Sequence, residues 1–189
     1  MIRIGILGDI GSGKTYVANN FGYPVFNADH EVSKLYKKDK KTFNKLKKIL
    51  PKYFISFPIK KSQVSKAILA NRNNLRKIVK IVHLEIRKKM NIFIKKNKNK
   101  KIIILDIPLL LENKINKKND VLIFVQSKRS EILKRLKNRE SFNKKLLNEF
   151  KNIQLPLDYK KKKSTFIIKN NFKKKSVRKD IKNILKNFR

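Results

Sequence analysis

The sequence predicts an α/β fold, a parallel sheet with helices on both faces, interrupted by a helical insertion. Three observations predict it. First, Ile2-Arg3-Ile4-Gly5-Ile6-Leu7 is short, apolar and β-prone, and it runs into a glycine-rich segment after which Tyr16 to Phe21 can open a helix. Second, Lys101-Ile102-Ile103-Ile104-Leu105-Asp106 and Asn119-Asp120-Val121-Leu122-Ile123-Phe124-Val125 are apolar runs without alternation. That is the pattern of parallel strands covered on both faces. Third, residues 30–98 hold no glycine and repeat their apolar residues at helical spacing.

The first element fixes the class. Gly8-Asp9-Ile10-Gly11-Ser12-Gly13-Lys14-Thr15 fits the phosphate-loop pattern G-x-x-x-x-G-K-[ST] without a mismatch. In such a loop several backbone N–H groups point at one anion, and the helix N-terminus adds its positive end. Lys14 is placed to reach the β- and γ-phosphates, and Thr15 to set its hydroxyl on Mg²⁺. All five glycines (Gly5, Gly8, Gly11, Gly13 and Gly22) lie at this end of the chain. The motif gives a nucleotide site and a P-loop core. It does not give a reaction.

Tyr23-Pro24-Val25-Phe26 reads as a short second strand ending in Asn27-Ala28-Asp29. The helical stretch begins with Val32, Leu35 and Tyr36, then Phe43, Leu46, Ile49 and Leu50, and is interrupted at Pro51 and Pro58. Ser62 is the expected N-cap of a helix spanning 64–70. Leu75, Ile78, Val79, Val82, Ile86 and Met90 form one stripe on a long helix. Beyond the two central strands, residues 129–139 and 141–153 read as helices, 165–168 as a last strand and 177–188 as a closing amphipathic helix. The lysine runs at 95–101, 160–163 and 173–175 are expected to be solvated ends and loops.

Composition excludes some chemistry. No Cys is present, so disulfides and thiolate catalysis are out, and two His without Cys argue against a zinc site. The apolar start is too short for a secretory leader, and no apolar stretch approaches the roughly 20 residues that span a bilayer. A cytoplasmic protein is the expectation. The net charge of +38 rests mostly on Lys, in a chain also rich in Asn, Ile and Phe, all residues of A/T-rich codons. Compositional bias accounts for it, although non-specific polyanion binding is expected from it too. Specific base reading favours Arg, which is scarce here.

Several residues then carry candidate chemistry. Asp29 lies just past the second strand, where groups at the carboxyl ends of parallel strands share one crevice. It reads equally as an acid that takes a proton from an attacking hydroxyl and as the N-cap of a helix starting near His30. Asp106 ends an apolar strand, as does the acid that helps hold Mg²⁺ in P-loop proteins. Arg135 and Arg139 are four apart on one helix face and suit charge balance over phosphates. His83 sits on the stripe of the long helix, where a structural role is the plainer reading.

Taken in order, these pieces resemble the dephospho-coenzyme A kinase family over nearly the whole chain. Ile6-Leu7-Gly8-Asp9-Ile10-Gly11-Ser12-Gly13-Lys14 is close to that family's L-T-G-G-I-G-S-G-K. Asn27-Ala28-Asp29 stands where the family shows D-A-D, and Val82-His83-Leu84-Glu85-Ile86-Arg87 resembles its H-P-x-V-R. Pro108-Leu109-Leu110-Leu111-Glu112 resembles P-L-L-F-E, Arg135 and Arg139 its R-x-x-x-R lid helix, and Gln154-Leu155-Pro156-Leu157 its Q-x-P-L. Phe166-Ile167-Ile168-Lys169-Asn170 is similar to its final strand and asparagine. Departures are Asn27 for an acid, Leu84 for a proline, Ser164-Thr165 for Ala-Asp, Tyr16 for Ser or Thr, and Phe172 where Gly is frequent.

The resemblance implies a P-loop kinase core at 1–29 and 99–189, a helical acceptor domain at 30–98 and a lid at 128–154. It implies phosphorylation of the ribose 3′-hydroxyl of dephospho-CoA by ATP. Asp29, Lys14 and Arg139 would be catalytic. Gly11, Ser12, Gly13, Lys14, Thr15, Tyr16 and Arg135 would bind ATP. His83, Arg87, Pro108 and Leu109 would meet the acceptor, and Thr15 and Asp106 would hold Mg²⁺. Two alternatives stay open: another small-metabolite or nucleoside monophosphate kinase on the same core, and a basic nucleic-acid-binding P-loop ATPase. A GTPase should carry N-K-x-D, and Asn116-Lys117-Lys118-Asn119 ends in Asn instead.

Overall fold

The computed structural model describes residues 1–138 and 142–188. Five strands form one sheet: β1 (Ile2–Gly8), β2 (Val25–Asn27), β3 (Ile102–Asp106), β4 (Val121–Gln126) and β5 (Phe166–Lys169). Their order is β2-β3-β1-β4-β5, and every pairing is parallel. The helices are α1 (Lys14–Asn19), α2 (Ala28–Lys38), α3 (Lys40–Ile49), α4 (Lys61–Ala70) and α5 (Arg72–Lys96). They continue as α6 (Arg129–Lys137), α7 (Lys144–Asn152), α8 (Leu157–Lys162) and α9 (Lys174–Lys186). The fold is a P-loop α/β core with a helical insertion. No described helix is long and apolar enough to cross a membrane.

The chain divides into two compact units. One comprises Met1–Asn27, Asn97–Phe142 and Gln154–Arg189 and holds the sheet. In it, side chains alternate across β1. Ile4 and Ile6 join Ile104, Ile123, Val125 and Ile168 in a cluster closed by Val17 and Ala18 of α1 and Val177, Ile181 and Ile184 of α9. Each fully buried aliphatic side chain of that kind contributes about 1.5–3 kcal/mol. Gly5 faces the other way, and a methyl there would stand 2.5 Å from Leu110 Cδ2 and 2.9 Å from Leu122 Cδ2. Leu110 can therefore lie flat on the sheet, which holds down the turn that follows β3.

The sheet-bearing unit also buries charge. Arg3 donates to Asp120 Oδ2 at 3.0 Å and to the Ile115 carbonyl at 3.4 Å, tying the start of β1 to the approach to β4. Lys160 is 1% exposed, meets Glu112 at 2.6 Å and donates to Gln154 Oε1 at 3.2 Å. Of the run 160–163, Lys161, Lys162 and Lys163 are exposed at the end of α8, as a solvated run would be, but Lys160 is not: its stem and charge are enclosed because Glu112 gives the ammonium a partner there.

The other unit comprises Ala28–Lys96 and Asn143–Ile153 and is helical. The stripe Leu75, Ile78, Val82, Ile86 and Met90 of α5 is buried, as are Leu35, Leu46, Phe54, Ala67 and Ile68. Asp39 caps α3, its side chain accepting from Thr42 N at 3.0 Å. Ser62 is not the cap of α4. The helix starts at Lys61, and Gln63 reaches back to accept from Lys60 N at 2.9 Å, which satisfies an N-terminal donor without a cap side chain. The closing helix α9 starts at Lys174, three residues before the expected point.

Candidate active site

The loop after β1 owes its shape to glycines. Gly13 holds φ +89°, and a Cβ on it would collide with the Asn170 amide and stand 3.3 Å from the Phe172 ring. Gly8 holds φ +145°, with the Val125 carbonyl oxygen only 2.7 Å from where its Cβ would be. Neither place admits a side chain. The loop is also held from outside. The Ser12 carbonyl accepts from Asn170 Nδ2 at 2.8 Å and from Ser127 Oγ at 3.0 Å, so the segments after β4 and β5 buttress it. Ser12 is fully buried, and its own hydroxyl has no partner among the described residues.

Lys14 opens α1, and its ammonium donates to the Gly8 carbonyl at 3.2 Å and the Asp9 carbonyl at 2.8 Å. The charge is thereby folded over the loop. Thr15, next on the helix, donates its hydroxyl to Asp106 Oδ2 at 2.6 Å. Asn27 Nδ2 donates to the same oxygen at 2.7 Å and to Thr15 Oγ1 at 3.4 Å. Parallel pairing explains the meeting: Asn27 of β2 and Asp106 of β3 are register partners at the carboxyl ends of their strands. Asp106 is 2% exposed. A hydroxyl and a carboxylate are hard oxygen donors, the kind that suit Mg²⁺. The donor set therefore fits that ion.

Tyr16 packs its ring against the apolar cluster under the sheet, so its side chain is spent on the core. Arg135, on the exposed side of α6, lays its guanidinium over the Phe172 ring at 4.3 Å. Phe172 holds φ +62°, a left-handed conformation that costs a non-glycine residue of order 1 kcal/mol. Its N–H donates to Asn170 Oδ1 at 2.9 Å, which holds the turn. Arg139 lies outside the described residues. Pro108 and Leu109 follow β3 after Ile107 and are half-buried.

Sequence reasoning named Asn170 and Phe172 only as family positions and gave neither a role. Their signal was a polar residue ending the last strand, followed two places on by a departure from Gly. Lys160 was missed altogether, since one lysine in a run of four carries no mark of burial.

In the helical unit, Asp29 is exposed in the first turn of α2. The helix begins at Ala28, so Asp29 is inside it and not the flanking residue that an N-cap must be. His83 and Arg87 are one turn apart on α5. His83 is half-buried, and its burial, followed by the Arg87 charge, holds its pKa below the usual value, which favours neutral imidazole at pH 7.

The model of the dephospho-CoA kinase family matches residues 2–176. A dephospho-CoA kinase of Wolbachia pipientis wMel is 35% identical over 187 residues, 96% of this chain and 95% of the relative. One from Rickettsia typhi is 32% identical over 192 residues, 99% of this chain and 97% of that one. Among solved structures, a protein of Thermus thermophilus matches with a TM-score of 0.77 at 22% identity, covering 98% and 97% of the two chains. Shikimate kinase of Bacteroides thetaiotaomicron matches with a TM-score of 0.53 at 10% identity, covering 98% and 97%. The structural likenesses speak to the fold.

Proposed function

The chain belongs to the dephospho-CoA kinase family and catalyses ATP-dependent phosphorylation of dephospho-CoA, and from that premise we propose how its residues divide the reaction. The observation that carries the proposal is the cluster of Thr15, Asp106 and Asn27 beside Lys14, at the carboxyl ends of β2 and β3.

ATP binds with its phosphates in the cradle of Gly11, Ser12 and Gly13 and the N–H groups of Lys14, Thr15 and Tyr16. Lys14 exchanges the carbonyls of Gly8 and Asp9 for the β- and γ-phosphates, so its charge is already at the site before the nucleotide arrives. Thr15 and Asp106 would hold Mg²⁺, which would neutralise charge on the phosphates. Arg135 and Phe172 offer a flat cationic and aromatic face to the base.

The acceptor is the ribose 3′-hydroxyl. Asp29 orients it and takes its proton as the new O–P bond forms and the bond to the leaving ADP breaks. His83, Arg87, Pro108 and Leu109 contact the acceptor, with residues 30–98 as its domain. Residues 128–154 act as a lid that helps exclude water, with Arg139 balancing the transferring charge. The setting is cytoplasmic, where ATP is supplied, and weak polyanion binding accompanies the basic surface.

The test is a coupled ADP-release assay with purified protein, comparing dephospho-CoA with nucleosides, nucleoside monophosphates and sugars, with the product's phosphate located by ³¹P NMR. Turnover confined to dephospho-CoA with phosphate on the 3′-oxygen is the expected result. Equal turnover of a nucleoside monophosphate points to the broader kinase reading, and ATP hydrolysis stimulated only by DNA to the nucleic-acid reading.

A further inference from the structure

The end of β2 carries an amide where the resembling family carries an acid, and that amide sits inside the cluster described above. Its geometry is unusually constrained. Asp106 Oδ2 receives two hydrogens, one from Thr15 Oγ1 at 2.6 Å and one from Asn27 Nδ2 at 2.7 Å. Two donors occupy the two lone pairs of a carboxylate oxygen. The Thr15 hydrogen is committed to Asp106 and one lone pair of its oxygen accepts from Asn27 Nδ2 at 3.4 Å, so one lone pair of the hydroxyl is left. The hydroxyl can bind a cation only through that lone pair. Asn27 also stands 3.4 Å from Thr15 Oγ1, so a swing of Asp106 toward Thr15 or away from it would disturb both of its donors.

An acid at position 27 would behave differently. Two carboxylate oxygens at the 2.7 Å separation seen here repel strongly where Asp106 is 2% exposed. Such a pair is relieved by a proton or by a cation between them. The amide removes that demand. Among the described residues there is also no group of three or more His, Cys, Asp or Glu able to hold a metal by itself.

We propose that Asn27 is a positioning residue for the metal site: it fixes Asp106, and through it the Thr15 hydroxyl, and by adding no charge it makes divalent-cation binding depend on the nucleotide's phosphates. The proposal rests on the reading of Thr15 and Asp106 as the metal-holding pair. On this reading the free protein, whose net charge is +38, has one carboxylate at this cluster, not two, with which to draw a cation.

The experiment measures Mn²⁺ binding by electron paramagnetic resonance on the full chain, alone and with ADP, together with ADP affinity in Mg²⁺ and in EDTA. The native protein, Asn27→Asp, Asn27→Leu and Asp106→Asn are compared. Native protein should bind Mn²⁺ only when ADP is present. Asn27→Asp, nearly the same size, should bind Mn²⁺ without nucleotide, at least about tenfold tighter than native, since ligand charge count sets cation affinity. Asn27→Leu should keep its ADP affinity in EDTA within about twofold while losing most of the gain that Mg²⁺ brings.

Unchanged nucleotide-free Mn²⁺ binding in Asn27→Asp overturns the proposal, and that variant decides the matter even if the Leu variant does not fold. So does full Mg²⁺ coupling in a folded Asn27→Leu while Asp106→Asn loses it, which would leave the metal-site reading standing. Full Mg²⁺ coupling in Asp106→Asn removes the metal-site reading, and the proposal with it.

Discussion

In the sheet-bearing unit Lys160 meets Glu112 at 2.6 Å with side-chain exposures of 1% and 8%. In the helical unit Lys45 meets Glu85 at 2.9 Å with exposures of 51% and 16%, and Lys88 meets the same acid at 3.2 Å. The chemistry is the same and the consequence is not. Glu85 shares water with its partners, and the hydrogen bond from Lys45, ahead of other effects, keeps its pKa below the usual range. Glu112 has given up most of its water, and its Oε2 has no partner among the described residues. The sheet-bearing unit adds a buried ion pair and glycine turns to its apolar cluster, whereas the ion pairs Lys45–Glu85 and Lys88–Glu85 of the helical unit lie outside its apolar stripe. Specific residue types are therefore compulsory in the first unit and exchangeable over much of the second.

That contrast can be broken by substitution. Lys160→Met keeps the stem and removes the charge, stranding the Glu112 carboxylate. Breaking a buried pair in this way costs about 3–5 kcal/mol. Urea unfolding should show that loss. A change under 1 kcal/mol would mean that Glu112 reaches water and that the buried-charge picture is wrong. Lys14→Ala acts on rate and not on fold. Losing a charge partner of the transferring phosphoryl should lower kcat about 10²–10³-fold, roughly 2.7–4 kcal/mol, with melting temperature little changed. Normal turnover in pure protein would remove this loop from the catalytic site. Glu85→Gln is the smallest effect. Surface pairs contribute about 0–1 kcal/mol, less at high salt, so its urea midpoint should stay near native in 0.5 M salt. A large shift there would show the helical unit to be held by its charges after all.

The same contrast explains what could be read from the sequence. The loop from Gly8 to Thr15 was legible because φ values of +86° at Gly11 and +89° at Gly13 admit few residues besides glycine. The β-runs were legible because strands covered on both faces must be apolar throughout. Asp106 was legible as an acid ending such a run. The start of α2 was not. With β2 passing directly into it at Ala28, no loop marks the boundary, and the helix starts two residues before the expected His30, which puts Asp29 inside it. Lys160 and α8 were hidden in a lysine run, because burial of that lysine depends on Glu112, 48 positions earlier in the chain. The partnership of Arg135 with Phe172 likewise joins two segments that share no local pattern.

Of the roles proposed above, the one on which the reaction depends most is that of Asp29, in the first turn of α2, as the base. Asp29→Asn tests it most directly. As an acid in a first helical turn, Asp29 contributes about 0.3–1 kcal/mol through the helix dipole, a loss that urea unfolding can register. As a general base it contributes roughly 10²- to 10⁴-fold in rate. The measurement is kcat with dephospho-CoA on one preparation whose ADP affinity and melting temperature are also determined. The account predicts that kcat falls by at least about 10²-fold while ADP affinity is retained and the melting temperature moves by only a few degrees. Native-like kcat in the same folded, ADP-binding variant would contradict it and leave Asp29 as a helix-start residue only.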